Sequence, residues 1–488
     1  MLAAGALNHA IGAGDWSLAV RAARALDAAG RASPEARVTL LSAALNQRDW
    51  RAANTQIDGL AAEEAFAFMV PVLRAWVAQG SGRGDPIAIL DAATGDAAAS
   101  GYIPEQRAML DLLRRRGDAA ADYAPVADAA GPRAARLRIA AAAYLARRGD
   151  RREALSLLTG ASEPIAQARR LIEARRRVPG EISTPAAGIA EYLTRIALDL
   201  NGAEVRPLAL SFARHATFLA SDNSTARMIV AELLGQSERR DSALQVLAPI
   251  SAEDPFAGIA LDLRVSLLIG AGRGEEAIVA AQAAAQRSDA RAIDWTRLAD
   301  AYMQLDRHGE GAAAYERAIA LAGADRGDHP LWAMWLMRGS ALERSGDWSG
   351  GLAALRRAHE LAPEQPEVLN YLGYAQLERR ENVAEATRLV AEAHRRAPDS
   401  AAIADSLGWA HVLAGDVAAG IPLLEQAAQG EPADVTINEH LGDAYFRAGR
   451  RIDARHAWKA ALVYAEGEDR ARLGAKIEAG LTPQLAAR

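Results

Sequence analysis

The chain repeats itself at an interval of 34 residues, and toward its C-terminal end the copies abut. Leu407-Gly408 and Leu441-Gly442 stand 34 apart, Leu372-Gly373 lies 35 before the first of these, and Gly339 lies 34 before Gly373. A unit of this length holds two short helices, and it cannot bury its apolar face alone; it must stack on copies of itself. The period therefore dictates an all-α stack before local propensity is consulted, and length becomes a count of repeats rather than of globular domains. Composition agrees, because the apolar half of the chain is largely Ala and Leu, with aromatics at only 5%, which suits helices at close approach.

With Ala401 as position 1, Leu407 and Gly408 fall at positions 7 and 8, Ala427 at 27 and Pro432 at 32. The unit from Trp332 has Trp335, Gly339, Ala358 and Pro363 in register. That from Pro366 carries one extra residue near Glu381-Asn382 before Ala386, Ala393 and Pro398, and that from Val435 gives Leu441, Gly442, Tyr445, Ala454 and Ala461. Position 8 is small where the second helix crosses the first, position 20 is small for the same contact from the other side, and position 27 admits the next unit. Proline at 32 ends the second helix. This pattern resembles the tetratricopeptide repeat, which implies a right-handed α-solenoid of stacked helix-turn-helix units.

Earlier units start near Ala292, Gly258, Thr225 and Ala190. Farther upstream the match decays, although residues 135–167 keep Gly149 and Ala154, and Ala19 and Ala53 are again 34 apart, each preceded by Asp15-Trp16 or Asp49-Trp50. Residues 60–134 stay helical in pattern, with breaks near 80–85 and 101–104 and at Gly117 and Gly131. The expected organisation is a divergent helical region over 1–178, a Pro/Gly segment over 179–189, about eight regular repeats over 190–468, and a capping helix with tail over 469–488. The middle segment, within Val178-Pro179-Gly180-Glu181-Ile182-Ser183-Thr184-Pro185, reads either as an insertion between stacked units or as a hinge between two solenoid halves. The polar stretch 467–481 supplies the final helix that covers a solenoid's exposed last face.

Charge is uneven. Residues 1–180 hold 24 Arg against 19 acids, while the remainder is acidic, so the two ends favour different partners. The Arg clusters at 114–116, 147–152 and 169–177 lack the interleaved aromatics of a nucleic-acid groove and read as solvated helix faces. Cysteine is absent, which excludes disulfides, thiolate metal sites and lipid attachment, and no run approaches the ~20 apolar residues of a membrane span. Residues 1–16 lack the basic and apolar regions of a signal peptide, and the chain reads as starting inside its first repeat, with a leader and a first helix missing from this sequence.

Catalytic signatures are missing. There is no P-loop, H-E-x-x-H helix or G-x-S-x-G elbow, and Gly80-Ser81-Gly82-Arg83-Gly84 has neither a preceding strand nor a following Lys-Ser/Thr, so it reads as a helix connection. Arg-Gly-Asp occurs at Arg83, Arg116, Arg148 and Arg326, where a basic helix end, a left-handed glycine and an Asp cap explain it. The nine histidines show no ligand spacing and no carboxylate pair stands out, so the expectation is a chain that is not an enzyme and holds no metal or cofactor.

Function is then expected on the concave groove, lined by positions 2, 5, 9, 12 and 13 of each first helix. The candidate partner-binding residues are Asp300, Asn370, Tyr374, Asp405, Trp409, Glu439, Asp443, Phe446 and Arg447, an acidic surface with aromatic anchors. Trp409 has a second reading, as packing between neighbouring first helices. Repeat proteins of this kind that grip a chaperone's C-terminal carboxylate carry cations and Asn at positions 2, 5, 6 and 9. Here position 5 is Thr296, Leu336, Asn370, Asp405 and Glu439, so that clamp is absent.

The run Gly188-Ile189-Ala190-Glu191-Tyr192-Leu193, the pair Asn370-Tyr371-Leu372-Gly373-Tyr374 and Asp405-Ser406-Leu407-Gly408-Trp409, and the closing Ala475-Lys476-Ile477-Glu478-Ala479-Gly480-Leu481 resemble a proteobacterial group of long envelope repeat proteins. Over residues 180–481 this resemblance implies a scaffold or adaptor that binds a carboxyl-terminal processing protease and presents its substrates, periplasmic or at the outer membrane. The chain departs from that group in lacking the leader and lipid-bearing cysteine. Two other readings stand beside it: a scaffold for envelope polysaccharide export, and the substrate-selecting repeats of an enzyme whose catalytic part would have to lie within 60–134. A cytoplasmic location is the alternative to the periplasm.

Overall fold

The computed structural model describes residues 2–95, 97–114, 132–160, 162–203, 205–323, 330–482 and 485. The breaks expected at Gly117 and Gly131, the arginines 115 and 116, the Arg-Gly-Asp sites at 116 and 326, and the insertion over 326–329 lie outside these residues. All regular structure among the described residues is helical, in paired helices of the expected α-solenoid kind. The chain divides into two compact units, Met1–Ser288 and Asp289–Arg488.

Among the described residues the second unit is five helix pairs and one further helix. The pairs are Ala292–Gln304 with His308–Ala322, Leu331–Arg344 with Trp348–Leu361, Pro366–Glu378 with Val383–Arg396, Ala401–Leu413 with Val417–Gly430, and Val435–Arg447 with Arg451–Tyr464; Gly467–Ala479 stands alone. The turns follow from their residues. Gly346 and Gly415 take left-handed φ of 92° and 88°, and the next residues, Asp347 and Asp416, accept the N–H groups of Gly350 and Ala419 at 2.9 and 3.1 Å. Each such cap contributes about 1 kcal/mol.

The small residues at positions 8 and 20 do what the repeat requires. A Cβ on Gly408 would lie 2.8 Å from Leu424 and 3.0 Å from the Gly420 carbonyl, and one on Gly420 would lie 2.5 Å from the Gly408 carbonyl. The two backbones are therefore in contact, and only glycine leaves room. Position 27 is likewise sealed, since Ala358, Ala393, Ala427 and Ala461 are all fully buried. Larger side chains fill the space between pairs in a series of local clusters, such as Leu355 with Leu369, Leu372 and Leu389, and Trp409 with Leu424 and Leu441.

The first unit opens in the same way. Asp15 caps Leu18 at 2.9 Å and Asp49 caps Ala52 at 3.0 Å, while Ala19 and Ala53 are fully buried. It then departs from nearest-neighbour stacking. Helix Pro34–Gln47 packs on Arg206–Leu219 and helix Val70–Ser81 on Pro185–Gly202, so a single apolar core runs from Val38 to Leu267. Aromatic contacts draw these distant segments together: Trp16 stacks on Phe218 at 4.3 Å, and the buried Trp76 lies against Gly188 while donating to Gln106 at 2.8 Å.

The segment 179–189 is tied inside this unit. The Gly180 carbonyl accepts from Arg136 at 2.7 Å, its N–H donates to Asp222 at 3.3 Å, and Val178 and Ile182 are buried. The division into two compact units falls between Ser288 and Asp289, outside this segment. Part of the N-terminal arginine excess is also internal. Arg133 and Arg136 converge on the fully buried Glu191, and Arg133 and Arg195 pair with Glu105 at 2.8 and 2.6 Å. Burial works against the Glu191 charge, but the two guanidiniums hold its carboxyl below the usual carboxylate range. At the two described Arg-Gly-Asp sites the glycines, Gly84 and Gly149, have φ of 90° and 96°, and Asp85 caps Ile87 at 3.1 Å.

Candidate functional site

The first helices of the second unit carry all nine candidate residues, and most of them are engaged within the chain. Asp300 accepts the Tyr315 hydroxyl of its own pair. Two pairs onward, Tyr371 donates to Ser340 at 2.8 Å and to Glu343 at 2.9 Å, and Arg379 pairs with Glu343 at 2.6 Å while covering the Trp348 ring at 4.1 Å. A polar side chain at position 6 thus reaches back to the preceding first helix. His440 repeats the move, holding Asp405 at 2.9 Å.

Trp409 is fully buried, its indole stacked on His440 with ring centroids 4.2 Å apart and the Arg447 guanidinium 5.3 Å from its ring. Of its two readings, packing is the one the structure has. Burial works against a charge on His440, but Asp405 in contact, with Asp443 and Glu439 beyond, raises its pKa above the ordinary histidine value.

Glu439 and Asp443 were expected to open onto the groove, and they do not. Helix Gly467–Ala479 lies across them. Lys476, itself fully buried, places its ammonium 2.6 Å from Glu439 and 2.8 Å from Asp443, Arg472 grips Glu439 through two bonds of 2.8 and 2.7 Å, and the Trp458 indole donates to Asp443 at 2.9 Å. Burial would raise the Glu439 pKa, but Arg472 and Lys476 prevail and lower it. Phe446 is half-buried against Trp458, Ile477 and Leu481. Asp405, Trp409, Glu439 and Asp443 are at most 5% exposed, so the expected open acidic end is an internal, charge-balanced one.

The physical reason was legible in one residue. Lys476 lies 34 after Gly442, in the slot that glycine holds in the four preceding units. Elsewhere a second helix crosses there. Among the described residues no second helix crosses Gly467–Ala479, and the slot holds a long side chain that reaches Glu439 and Asp443. Sequence reading treated 467–481 as a polar cap and missed both Lys476 and Arg472.

What remains open lies earlier. Asn370, Tyr374 and Glu378 follow one line along Pro366–Glu378; the first two are half-buried and Glu378 is exposed. Burial, followed by the charges of Glu378 and Asp405, pushes the Tyr374 phenol well above its ordinary pKa, so it stays a neutral donor. The Asn370 Oδ1 is buried without a hydrogen-bond partner, and Met337 on the neighbouring first helix is 39% exposed. Arg447 is exposed at the far end. Among the described residues no group of three His, Asp or Glu is placed to hold a metal ion, and no helix is long and apolar enough to cross a membrane.

These pairs, with glycine at the crossing and alanine at the seam, find their match in sequence comparison. Residues 332–377 match the tetratricopeptide repeat family. A TPR repeat-containing protein of Pseudomonas aeruginosa is 38% identical over 81 residues, a stretch that spans 17% of this chain and only 14% of that relative. Among solved structures, yeast Tom70 covers 96% of this chain and 92% of its own at 10% identity and a TM-score of 0.43. MamA from Desulfovibrio magneticus covers 36% of this chain and 94% of its own at 16% identity and a TM-score of 0.30. Neither structural likeness is close enough to bear on function. The TPR fold of the chain supports a protein-binding scaffold, and no finding beyond the fold names the partner.

Proposed function

We propose that this chain is a non-enzymatic adaptor that holds a protein or peptide on the first-helix face of its C-terminal unit, at Asn370 and Tyr374, with the exposed Met337 of the preceding first helix and Arg447 as further contacts. Asp405, Trp409, Glu439 and Asp443 shape this face from beneath. The observation that carries the reading is the buried Asn370 Oδ1 without a partner. Such an atom costs about 1–3 kcal/mol until it is bonded, and a partner's backbone N–H would relieve it, with the Tyr374 ring beside it, its hydroxyl held by Glu378, and Met337 offering apolar contact. The resemblance to envelope repeat scaffolds supports a periplasmic location and a carboxyl-terminal processing protease as the partner.

The purified processing protease of the same organism, titrated calorimetrically into the chain, tests both parts. Asn370→Ala and Tyr374→Ala should each weaken binding by about tenfold, roughly 1.4 kcal/mol. Equal binding by the variants would remove this face from the interaction, and no binding by the wild type would remove the protease.

A further inference from the structure

Helix Leu2–Ala13 in the N-terminal unit ends in a turn at Gly12 and Gly14, the latter at φ 80°. Two guanidinium groups meet there. Arg214, on helix Arg206–Leu219, donates from Nη2 to the Gly12 carbonyl at 3.1 Å, and Arg239, just before helix Arg240–Leu247, reaches the same oxygen at 3.5 Å. Arg214 is 7% exposed, and Gly14 makes its approach possible, since a Cβ there would lie 3.0 Å from its Nη1. Arg239 is exposed, so the pair opens to solvent on its side.

The carboxylates nearest in sequence are engaged elsewhere. Asp15 accepts the Leu18 N–H at 2.9 Å, Glu238 pairs with Arg240, and Asp241 pairs with Arg273 at 2.9 Å. Neither Arg214 nor Arg239 has an ion pair among the described residues, and the Arg214 Nε is buried without a hydrogen bond. The one shared acceptor is a helix-end carbonyl, and a helix C-terminus carries only about half a negative charge. Two full positive charges therefore meet about half a negative one. Burial, then Arg239 and Arg227, lowers the Arg214 pKa to about 10, which shows the same deficit.

We propose that Arg214 and Arg239 bind an oxyanion, a carboxylate or a phosphate group, at the Gly12 turn. The planar fork of each guanidinium suits two oxygens of one such group. Bound there, the anion ties the first helix to Arg206–Leu219.

The full chain is melted at constant ionic strength in chloride, with inorganic phosphate or acetate titrated in its place. The wild type should gain about 3 °C at ten times the dissociation constant, and Arg239→Ala, which removes only an exposed side chain, should not respond. Arg239→Glu supplies the missing charge internally, so it should melt above the wild type in chloride alone and ignore added anion. A response to phosphate alone assigns a phosphate site, to acetate alone a carboxylate site, and to both an unselective oxyanion site. No wild-type response to either anion, or an equal response in Arg239→Ala, overturns the proposal.

Discussion

Replacing Lys476 with methionine keeps most of the stem's volume and removes the charge, so the loss it produces reports on the ammonium rather than on a cavity. The charge sits among Glu439 and Asp443, 3% and 0% exposed. Deleting one partner of a buried pair costs about 3–5 kcal/mol, because the other is left uncompensated. Glu439 keeps both bonds from Arg472 and Asp443 keeps the Trp458 indole, which places the expected loss near the lower bound, about 3 kcal/mol. For a unit of this size that is a fall in melting temperature of about 9 °C. Urea unfolding followed by tryptophan fluorescence measures it, and hydrogen exchange over residues 435–479 localises it to the last pair and its cap. Adding Asp443→Asn removes the stranded charge and should restore at least half of the stability. The reasoning fails if Lys476→Met lies within about 0.5 kcal/mol of the wild type, the range of an ordinary surface change, or if Asp443→Asn deepens the loss.

Two histidines give pH dependences of opposite sign. His215, buried between Thr39 and the Ser211 carbonyl, has its pKa lowered by burial to about 4. The N-terminal unit should therefore be fully stable above about pH 6.5 and lose about 3 kcal/mol as pH falls toward 4; urea midpoints across that range should flatten in His215→Gln. His440, raised by Asp405, contributes stability that is complete below about pH 6.5 and is lost as pH rises through its elevated pKa. That dependence, read from hydrogen exchange over 401–447, should vanish in His440→Gln. Gly408→Ala forces a methyl against Leu424 and the Gly420 backbone, and thermal melts should show a loss of about 1–3 kcal/mol.

The helix pairs of the second unit were legible because each of their constraints is local: a glycine where two backbones touch, an Asp after a left-handed glycine, an alanine at each seam. The first unit was not, because a repeat register describes only neighbours. Nothing in the spacing of Trp16 and Phe218, or of Trp76 and Gly188, marks them as contacts across more than a hundred residues. The same blindness left 179–189 open between insertion and hinge, since Pro and Gly punctuate the sequence there but nothing in it marks Arg136 and Asp222 as holding the backbone. At the candidate site the register assigned all nine residues to first helices, where they lie. It could not show that position 6 reaches backward, so Tyr371 and His440 went unread, Asp405 was taken as open and the two readings of Trp409 stayed undecided.

Lys476 also bears on how such an array could lengthen or shorten by duplication. A second helix added after Ala479 would have to cross the first at a buried lysine, where Gly408 and Gly420 of an earlier pair set backbone against backbone. Growth at this end therefore requires a change to glycine at 476 and, with it, new partners for Glu439 and Asp443. Loss of the last helix is equally barred, because it strands the same two carboxylates.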